Sequence, residues 1–290
     1  MDKNRIAILI GYRDRPTEIY GLLQSLRTQT YKNFDVFILD DNSGTPFEAY
    51  HFLNMIIMRM KLEGNKFFYE KTQFNYGVSR MRQYLVDKAL EQGYELTLRL
   101  DDDILLESDY IERLIKVLDK GYDIASGITT SFGPQTKRQF KGDIINRCIL
   151  DKDGNFILNG DDCGYAYSDK VIVSTHHFRS CALMKKSVHE KVKYYPTRLS
   201  RHGFREEQIF SFKALMEGFK IGVDTGAVNY HLMTNSGGER FPEQGQMIPF
   251  NQKVMEEFTK ENKDKLIKLF PTTPMPSELE LSKEDNLLMK

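Results

Sequence analysis

Tryptophan is absent from this 290-residue chain, cysteine occurs three times, and neither sign of charge prevails: 41 lysines and arginines face 41 aspartates and glutamates. Each shortage excludes something. Cys148, Cys163 and Cys181 form an odd set with no CxxC spacing, which argues against a disulfide framework or a thiolate zinc site and fits a reducing compartment. The even charge balance supplies no global field for holding a polyanion. No apolar run approaches the roughly 20 residues that a spanning helix needs. Met1 to Arg5 leads directly into an apolar stretch without a cleavage-site pattern. The expectation is a cytoplasmic protein with no integral membrane segment, a peripheral seat at a membrane being left open. What is present suffices for a core: 40% hydrophobic and 12% aromatic residues suit one large folded domain.

The first hundred residues alternate short apolar runs with segments of helical periodicity, the pattern of βαβ units. Ile6 to Ile10 reads as a strand. Pro16 then opens a helix in which Ile19, Leu22, Leu23 and Leu26 share a face. Phe34 to Leu39, Lys66 to Tyr69 and Tyr94 to Leu100 are further strands, and Val78 to Leu90 is a helix. Polar clusters follow the strand ends, where ligands bind in a parallel sheet. Beyond Asp103 the spacing predicts a helix over Asp109 to Leu118, a strand over Asp123 to Thr130 and a loop-rich excursion over 131–170. Antiparallel strands follow at Val171 to Thr175 and Ser180 to Met184, then a helix from Glu206 to Glu217 stopped by Gly218. The last strands are Phe219 to Val223 and Ala227 to Tyr230. The expected division is one domain over 1–249, with halves at 1–103 and 104–249, and a C-terminal helix with a loosely held tail over 250–290.

The strongest chemical signal is Asp101-Asp102-Asp103 at the mouth of an apolar strand. Burying one such carboxylate unpaired costs on the order of several kcal/mol. Arg99 cannot serve all three, because adjacent strand residues point to opposite faces. Asp101 and Asp103, two apart, would share a face and could hold a hard divalent cation, Mg2+ or Mn2+. A solvated acidic turn or a helix cap is the competing account. Glu206 and Glu207 open a helix, where the dipole favours acids and where a general base could also stand. Asp41, in the turn Asp40-Asp41-Asn42-Ser43-Gly44, suits a ribose or base contact as well as a turn. Asn75-Tyr76-Gly77 at a helix start, with Arg82 behind it, suits a phosphate.

Taken together, Gly11-Tyr12-Arg13-Asp14-Arg15-Pro16, Leu23 to Tyr31 and Phe37-Ile38-Leu39-Asp40-Asp41-Asn42-Ser43 resemble the opening of the family 2 glycosyltransferases. Asn75, Gly77 and Arg82 match that family's N-x-G…R segment. Asp101 to Asp103 resemble its DxD motif, Glu206-Glu207 with Gly218-Phe219-Lys220-Ile221 its E-D…G-Y-x-I segment, and His231 a terminal histidine. The likeness covers about residues 5–232, and the ordered set is more specific than any one motif. It implies an α/β fold of the GT-A type, with a Rossmann-like nucleotide-binding half, a mixed central sheet flanked by helices, and an acceptor-binding half.

The resemblance also implies roles. Gly11, Arg13, Asp41, Asn75, Gly77, Arg82, Asp101 and Asp102 would meet a nucleotide-diphosphate sugar, a UDP-sugar first among them. Asp101, Asp103 and His231 would hold Mn2+ or Mg2+. Glu207, with Glu206 beside it, would be the catalytic base of an inverting, single-displacement transfer. His177 and Phe178 are candidates for the acceptor cleft. Tyr165, Tyr167 or Phe178 would replace tryptophan as sugar-stacking rings. Thr234 to Gly245 has the composition of a flap carrying Arg240 to the diphosphate. The acceptor is left open among a glycan, a lipid-linked glycan, a protein, a small molecule and a modified nucleic-acid base, the last kept in view by Lys137, Arg138 and Lys141. A processive synthase is not expected, since a Q-x-x-R-W motif is missing. A sugar nucleotidyltransferase lacks its Gly-rich basic loop here, and a non-catalytic sugar-nucleotide or glycan-binding module would use the same acids for a structural ion.

Overall fold

The computed structural model describes residues 4–132, 137–140, 142, 144–150, 153, 155–158, 166–234, 237–238 and 244–270. The chain begins with β1 (Ile6–Tyr12), α1 (Pro16–Arg27), β2 (Phe34–Asp40), α2 (His51–Leu62), β3 (Phe67–Lys71), α3 (Val78–Glu91) and β4 (Leu96–Asp101). It continues through β5 (Ile104–Leu106), α4 (Tyr110–Asp119), β6 (Ile124–Thr130), β7 (Ile144–Ile145), β8 (Cys148–Leu150), β9 (Phe156–Leu158), β10 (Ile172–Thr175) and β11 (Ala182–Lys185). It closes with α5 (Lys186–Lys191), α6 (Glu206–Met216), β12 (Ile221–His231), α7 (Gln244–Glu261) and α8 (Lys263–Leu266).

The main sheet runs β3-β2-β1-β4-β11-β6-β12-β10-β7. The strands β1 to β4 are parallel, β11 runs antiparallel between β4 and β6, and β12 lies parallel to β6. The ends of β1, β2, β4, β6 and β12 therefore open on one edge, which is where the acidic and glycine turns collect. Both faces are covered. One carries Ile19, Leu22, Leu23 and Leu26 of α1, Leu53 and Ile56 of α2, and Leu114 and Val117 of α4. The other carries Leu85, Val86 and Ala89 of α3 with Val188, Phe210 and Ala214 of α5 and α6. Burial on both faces explains why β1 is a continuous apolar run and why β2 is one from Val36 to Leu39, whereas in β4 Thr97 and Arg99 alternate with Leu96, Leu98 and Leu100.

Several expectations need correction. Helix α2 was not expected: its sequence is apolar on nearly every side and opens without a side-chain cap. The segments expected as two antiparallel strands, now β10 and β11, do not pair with each other: β11 enters between β4 and β6, and β10 lies beyond β12. The two last strands are one strand, β12, whose pairing with β6 shifts register between Val223 and Val228. The division expected at 249/250 falls inside α7, and Met255, Leu266 and Phe270 pack on Ile209 and Phe212 of α6, so residues 250–270 continue the body. Residues 271–290 lie outside the described residues.

Candidate active site

A cleft of about 310 Å3 opens at the strand-end edge. Its wall includes Gly11 and Arg13 at the end of β1, Asp41 after β2, Arg82 on α3, Asp101 to Asp103 at the end of β4, Glu207 on α6 and His231 at the end of β12. Topology brings these together. Strand β5 pairs antiparallel with the end of β12, placing Ile104 opposite His231, and the Leu232 amide donates to the Asp103 carbonyl at 2.9 Å. His231 Nε2 thus lies 3.1 Å from Asp103 Oδ1.

The acid triplet does not act as one unit. The strand ends at Asp101, and the turn that follows sends the three carboxylates to different partners. Asp102 Oδ1 accepts from Arg15 Nη1 at 2.8 Å, and the same nitrogen is 3.2 Å from Asp103 Oδ2. Asp101 Oδ1 instead accepts from Arg82 Nη2 at 2.7 Å and lies 3.8 Å from Arg99 Nη2. Arginines from three separate elements therefore supply much of the compensation assigned to a cation alone, which corrects the expectation that the triplet needs a divalent guest to be held. Burial still pushes the Asp102 carboxyl up to about 7 against the pull of Arg15, with Asp103 adding to the rise.

The two glutamates separate in the same way. Glu206 is buried, stands outside the cleft wall, and accepts from Arg82 Nη1 while lying 3.5 Å from Arg99 Nη1. Glu207 faces the cleft, with Oε1 2.8 Å from Arg99 Nη2 and 3.6 Å from Arg82 Nη1. Burial works to raise the Glu207 value, but Arg99 and Arg82 outweigh it and hold the carboxyl below the ordinary glutamate range. Asp101 is lowered too, by Arg82 and Arg99 against its own burial. Arg99, on β4, lies over the Phe178 ring at 5.4 Å.

Asp41 is a buried clamp. Its carboxylate accepts from the Tyr76 amide at 2.6 Å and the Gly77 amide at 2.9 Å. Asn75 Oδ1 also accepts from the Gly77 amide, at 2.8 Å, so Asn75 and Gly77 shape this turn rather than line the cleft. Gly77 has φ 73°, and a Cβ there would stand 2.6 Å from the Arg201 backbone. That contact seats the start of α3 against the loop leading into α6.

His177 and Phe178 do not form an acceptor cleft in this structure. Phe178 is wholly buried against Phe210, and His177 is buried with its pKa lowered to about 4 by that burial. Tyr167 lies on a separate hollow with Lys137. Tyr165, Cys163, Lys141 and Arg240 lie outside the described residues. Of the flap segment, Gly238 lines the cleft and its amide donates to the Arg13 carbonyl at 2.9 Å. Sequence reasoning passed over Arg15, Tyr194 and His202, which also line the cleft. For Arg15 the signal was present in its charge, directly before a helix-opening proline.

Among the described residues no three His, Cys, Asp or Glu side chains converge on one point as a complete metal site. Asp103 and His231 offer two ligands, a carboxylate and an imidazole, a set that suits Mn2+ and leaves further positions to substrate oxygens. Five carboxylates, Asp101 to Asp103 with Glu206 and Glu207, gather around Arg15, Arg82 and Arg99. A divalent ion fits that negative excess.

The sequence model for glycosyl transferase family 2 matches residues 7–193, more than half of the chain. The chain belongs to glycosyl transferase family 2. Its fold is that of the GT-A glycosyltransferases. Among solved structures, Staphylococcus aureus TarS 1-349 in complex with UDP is similar at a TM-score of 0.52 and 15% identity, over 79% of this chain and 61% of that one. The same TarS segment with UDP-GlcNAc gives a TM-score of 0.58 and 13% identity, over 93% of this chain and 74% of that one. GalNAc-T7 with UDP, GalNAc and Mn2+ gives 0.60 and 12%, over 98% of this chain and 55% of that one. The family 2 chain thus spans little more than half the length of GalNAc-T7. No curated protein matches it by sequence. Among the described residues no helix is long and apolar enough to cross a membrane.

Proposed function

We propose that this chain is a metal-dependent, inverting glycosyltransferase that moves a sugar from a nucleotide-diphosphate sugar to an acceptor hydroxyl in one displacement. The observation that carries the reading is the meeting, in one cleft, of the Asp103–His231 pair with a cleft-facing Glu207 held by two arginines. Family membership supports the reaction class, and the UDP and UDP-GlcNAc in the similar TarS structures support a UDP-sugar as donor.

Asp103 and His231 would hold the cation, Mn2+ or Mg2+, with Asp101 beside them. When bound, the ion supplies Lewis-acid stabilisation of charge on the leaving diphosphate. Glu207 is the base: it takes the proton of the acceptor hydroxyl as the hydroxyl oxygen bonds to the anomeric carbon. The bond from that carbon to the diphosphate breaks, and its electron pair leaves with the diphosphate. A carboxylate tied to two arginines is a weak base that is always ionised at neutral pH. It suits a displacement in which the proton is lost late, once the attacking oxygen has turned acidic. Asp41, braced by the 75–77 turn, forms with Gly11 and Arg13 the nucleotide end of the cleft.

The test is incubation with a panel of UDP- and GDP-sugars with Mn2+ or Mg2+, without acceptor. Slow, metal-dependent release of nucleotide diphosphate from one donor is expected. Donor binding without consumption would replace the enzyme reading with a binding module, and donor consumption that requires added pyrophosphate and releases nucleoside triphosphate with sugar 1-phosphate would replace it with a nucleotidyltransferase.

A further inference from the structure

Helix α2 presents apolar side chains on both of its faces. Leu53, Ile56 and Met60 are buried, whereas Phe52, Met55, Met58 and Leu62 are 39%, 49%, 57% and 82% exposed. At about 100° per residue, Met58, Leu62 and Met55 fall within about 60° of one another and Phe52 about 60° further round. Arg59 stands in that interval, and Lys61 borders the stripe on its other side. No acidic residue occurs between His51 and Leu62. Glu63, just past the helix end, is shared by Arg27 at 2.6 Å and Arg59 at 2.9 Å, so two arginines meet one acid there. Tyr20 and Tyr50 pack on Phe52 with ring centroids 5.5 and 5.8 Å away, extending the apolar surface with aromatic rings.

We propose that this face of α2 seats on an anionic lipid surface. Phe52, Met55, Met58 and Leu62 enter the boundary between headgroups and acyl chains, and Arg59 and Lys61 meet lipid phosphates and carboxylates. Charge decides between the candidate occupants. A second copy joined through this stripe by a two-fold axis would press Arg59 and Lys61 towards the same cations of its partner, because an isologous contact repeats one patch on both sides. An anionic lipid surface matches the apolar stripe and its basic border together. No residue of α2 lines the donor cleft, so the inference stands apart from the glycosyltransferase reading.

The test is co-sedimentation of the full chain with vesicles of phosphatidylcholine alone and of phosphatidylcholine with about 30% phosphatidylserine, a surface charge of the kind that attracts basic segments. Binding is expected for the anionic vesicles only. Met55→Ser with Met58→Ser, and separately Arg59→Gln with Lys61→Gln, each lower the partition coefficient about tenfold or more. All four positions are exposed, and unchanged far-UV circular dichroism with unchanged donor hydrolysis separates loss of binding from loss of fold. Equal binding to both vesicle types, or binding to neither, overturns the proposal. A concentration-dependent dimer in analytical ultracentrifugation that Met55→Ser with Met58→Ser dissolves would assign the face to a second copy and overturn it too.

Discussion

Asp101 and Asp103 are two residues apart and belong to different charge groups. The inner group joins Asp101, Glu206 and Glu207 to Arg82 and Arg99. The outer group joins Asp102 and Asp103 to Arg15 and His231. Each has one carboxylate more than it has arginines, yet only the outer one contains an imidazole, the ligand type that a transition-metal ion favours. The lesson is that one acidic run can be cut by a strand end into two devices. In the proposed reaction the inner device orients a proton acceptor, and the outer one suits a cation with its diphosphate.

That contrast can be broken experimentally, and the largest effect is expected on the outer side. Asp103→Ala should leave no transfer above background and weaken donor binding in the presence of Mn2+, as read by calorimetry. Unchanged donor affinity would detach Asp103 from the cation. On the inner side, Glu207→Gln should keep donor affinity and cut transfer about 100- to 10,000-fold, the usual range for a lost general base. Near-normal transfer would remove Glu207 from that role.

Arg99→Met sharpens the comparison further, since Arg99 touches Glu207 and belongs to the inner group alone. Loss of a charge-assisted hydrogen bond of about 1.5–3 kcal/mol predicts a fall in transfer of about tenfold to a hundredfold. In a Glu207→Gln background the same change should add little. The pH profile supplies a second readout. Glu207 is held below its ordinary value, so transfer should have no acid limb near pH 5 in the native protein. With Arg99 removed the carboxyl rises and the limb moves to higher pH. An unmoved profile would place Arg99 among purely structural residues.

The smallest effect concerns stability. His189 is buried beside Thr97, with its value lowered to about 3 by burial, while that of His177 is lowered to about 4. Between those values and the ordinary 6.5 the unfolded chain binds more protons than the folded one. Stability is therefore full above pH 6.5 and falls as pH drops towards 4. His189→Gln, which can keep the Thr97 bond, should flatten that fall by about 1–2 kcal/mol in urea titrations at pH 7 and pH 5. An equally steep fall would deny the ring this part.

Much of the frame was legible in the sequence: β1 and most of β2 stood out as the apolar runs of buried parallel strands, β4 as an alternation of leucines with Thr97 and Arg99, and α1 by its regular face. Helix α2 did not, since Phe52, Met55, Met58 and Leu62 on its outer side erase the periodicity that marks a helix. Strand β12 read as two because Asp224 and Gly226 resemble a turn, while Thr225, bonded by its amide to the Val171 carbonyl, continues the strand through the register shift. In the site, the acidic residues were visible, and their arginines were not assignable. Arg15, Arg82 and Arg99 come from three elements that only the fold brings together. Thr175 to Ser180 misled in the opposite direction. Its histidines look like residues that face solvent, yet both are buried: His176 packs on Phe270 at 4.5 Å, and Phe178 beside them lies beneath Arg99.

The Asp41 clamp has one more consequence. A single carboxylate stitches the turn after β2 to the Tyr76 and Gly77 amides that lead into α3, and that helix delivers Arg82, in its second turn, to Asp101 and Glu206. The proposed nucleotide end and reacting end of the cleft therefore share a lever. If the proposed roles hold, remodelling the turn at 41–44 to admit a different nucleotide tilts that lever, and donor preference and turnover cannot be retuned one at a time.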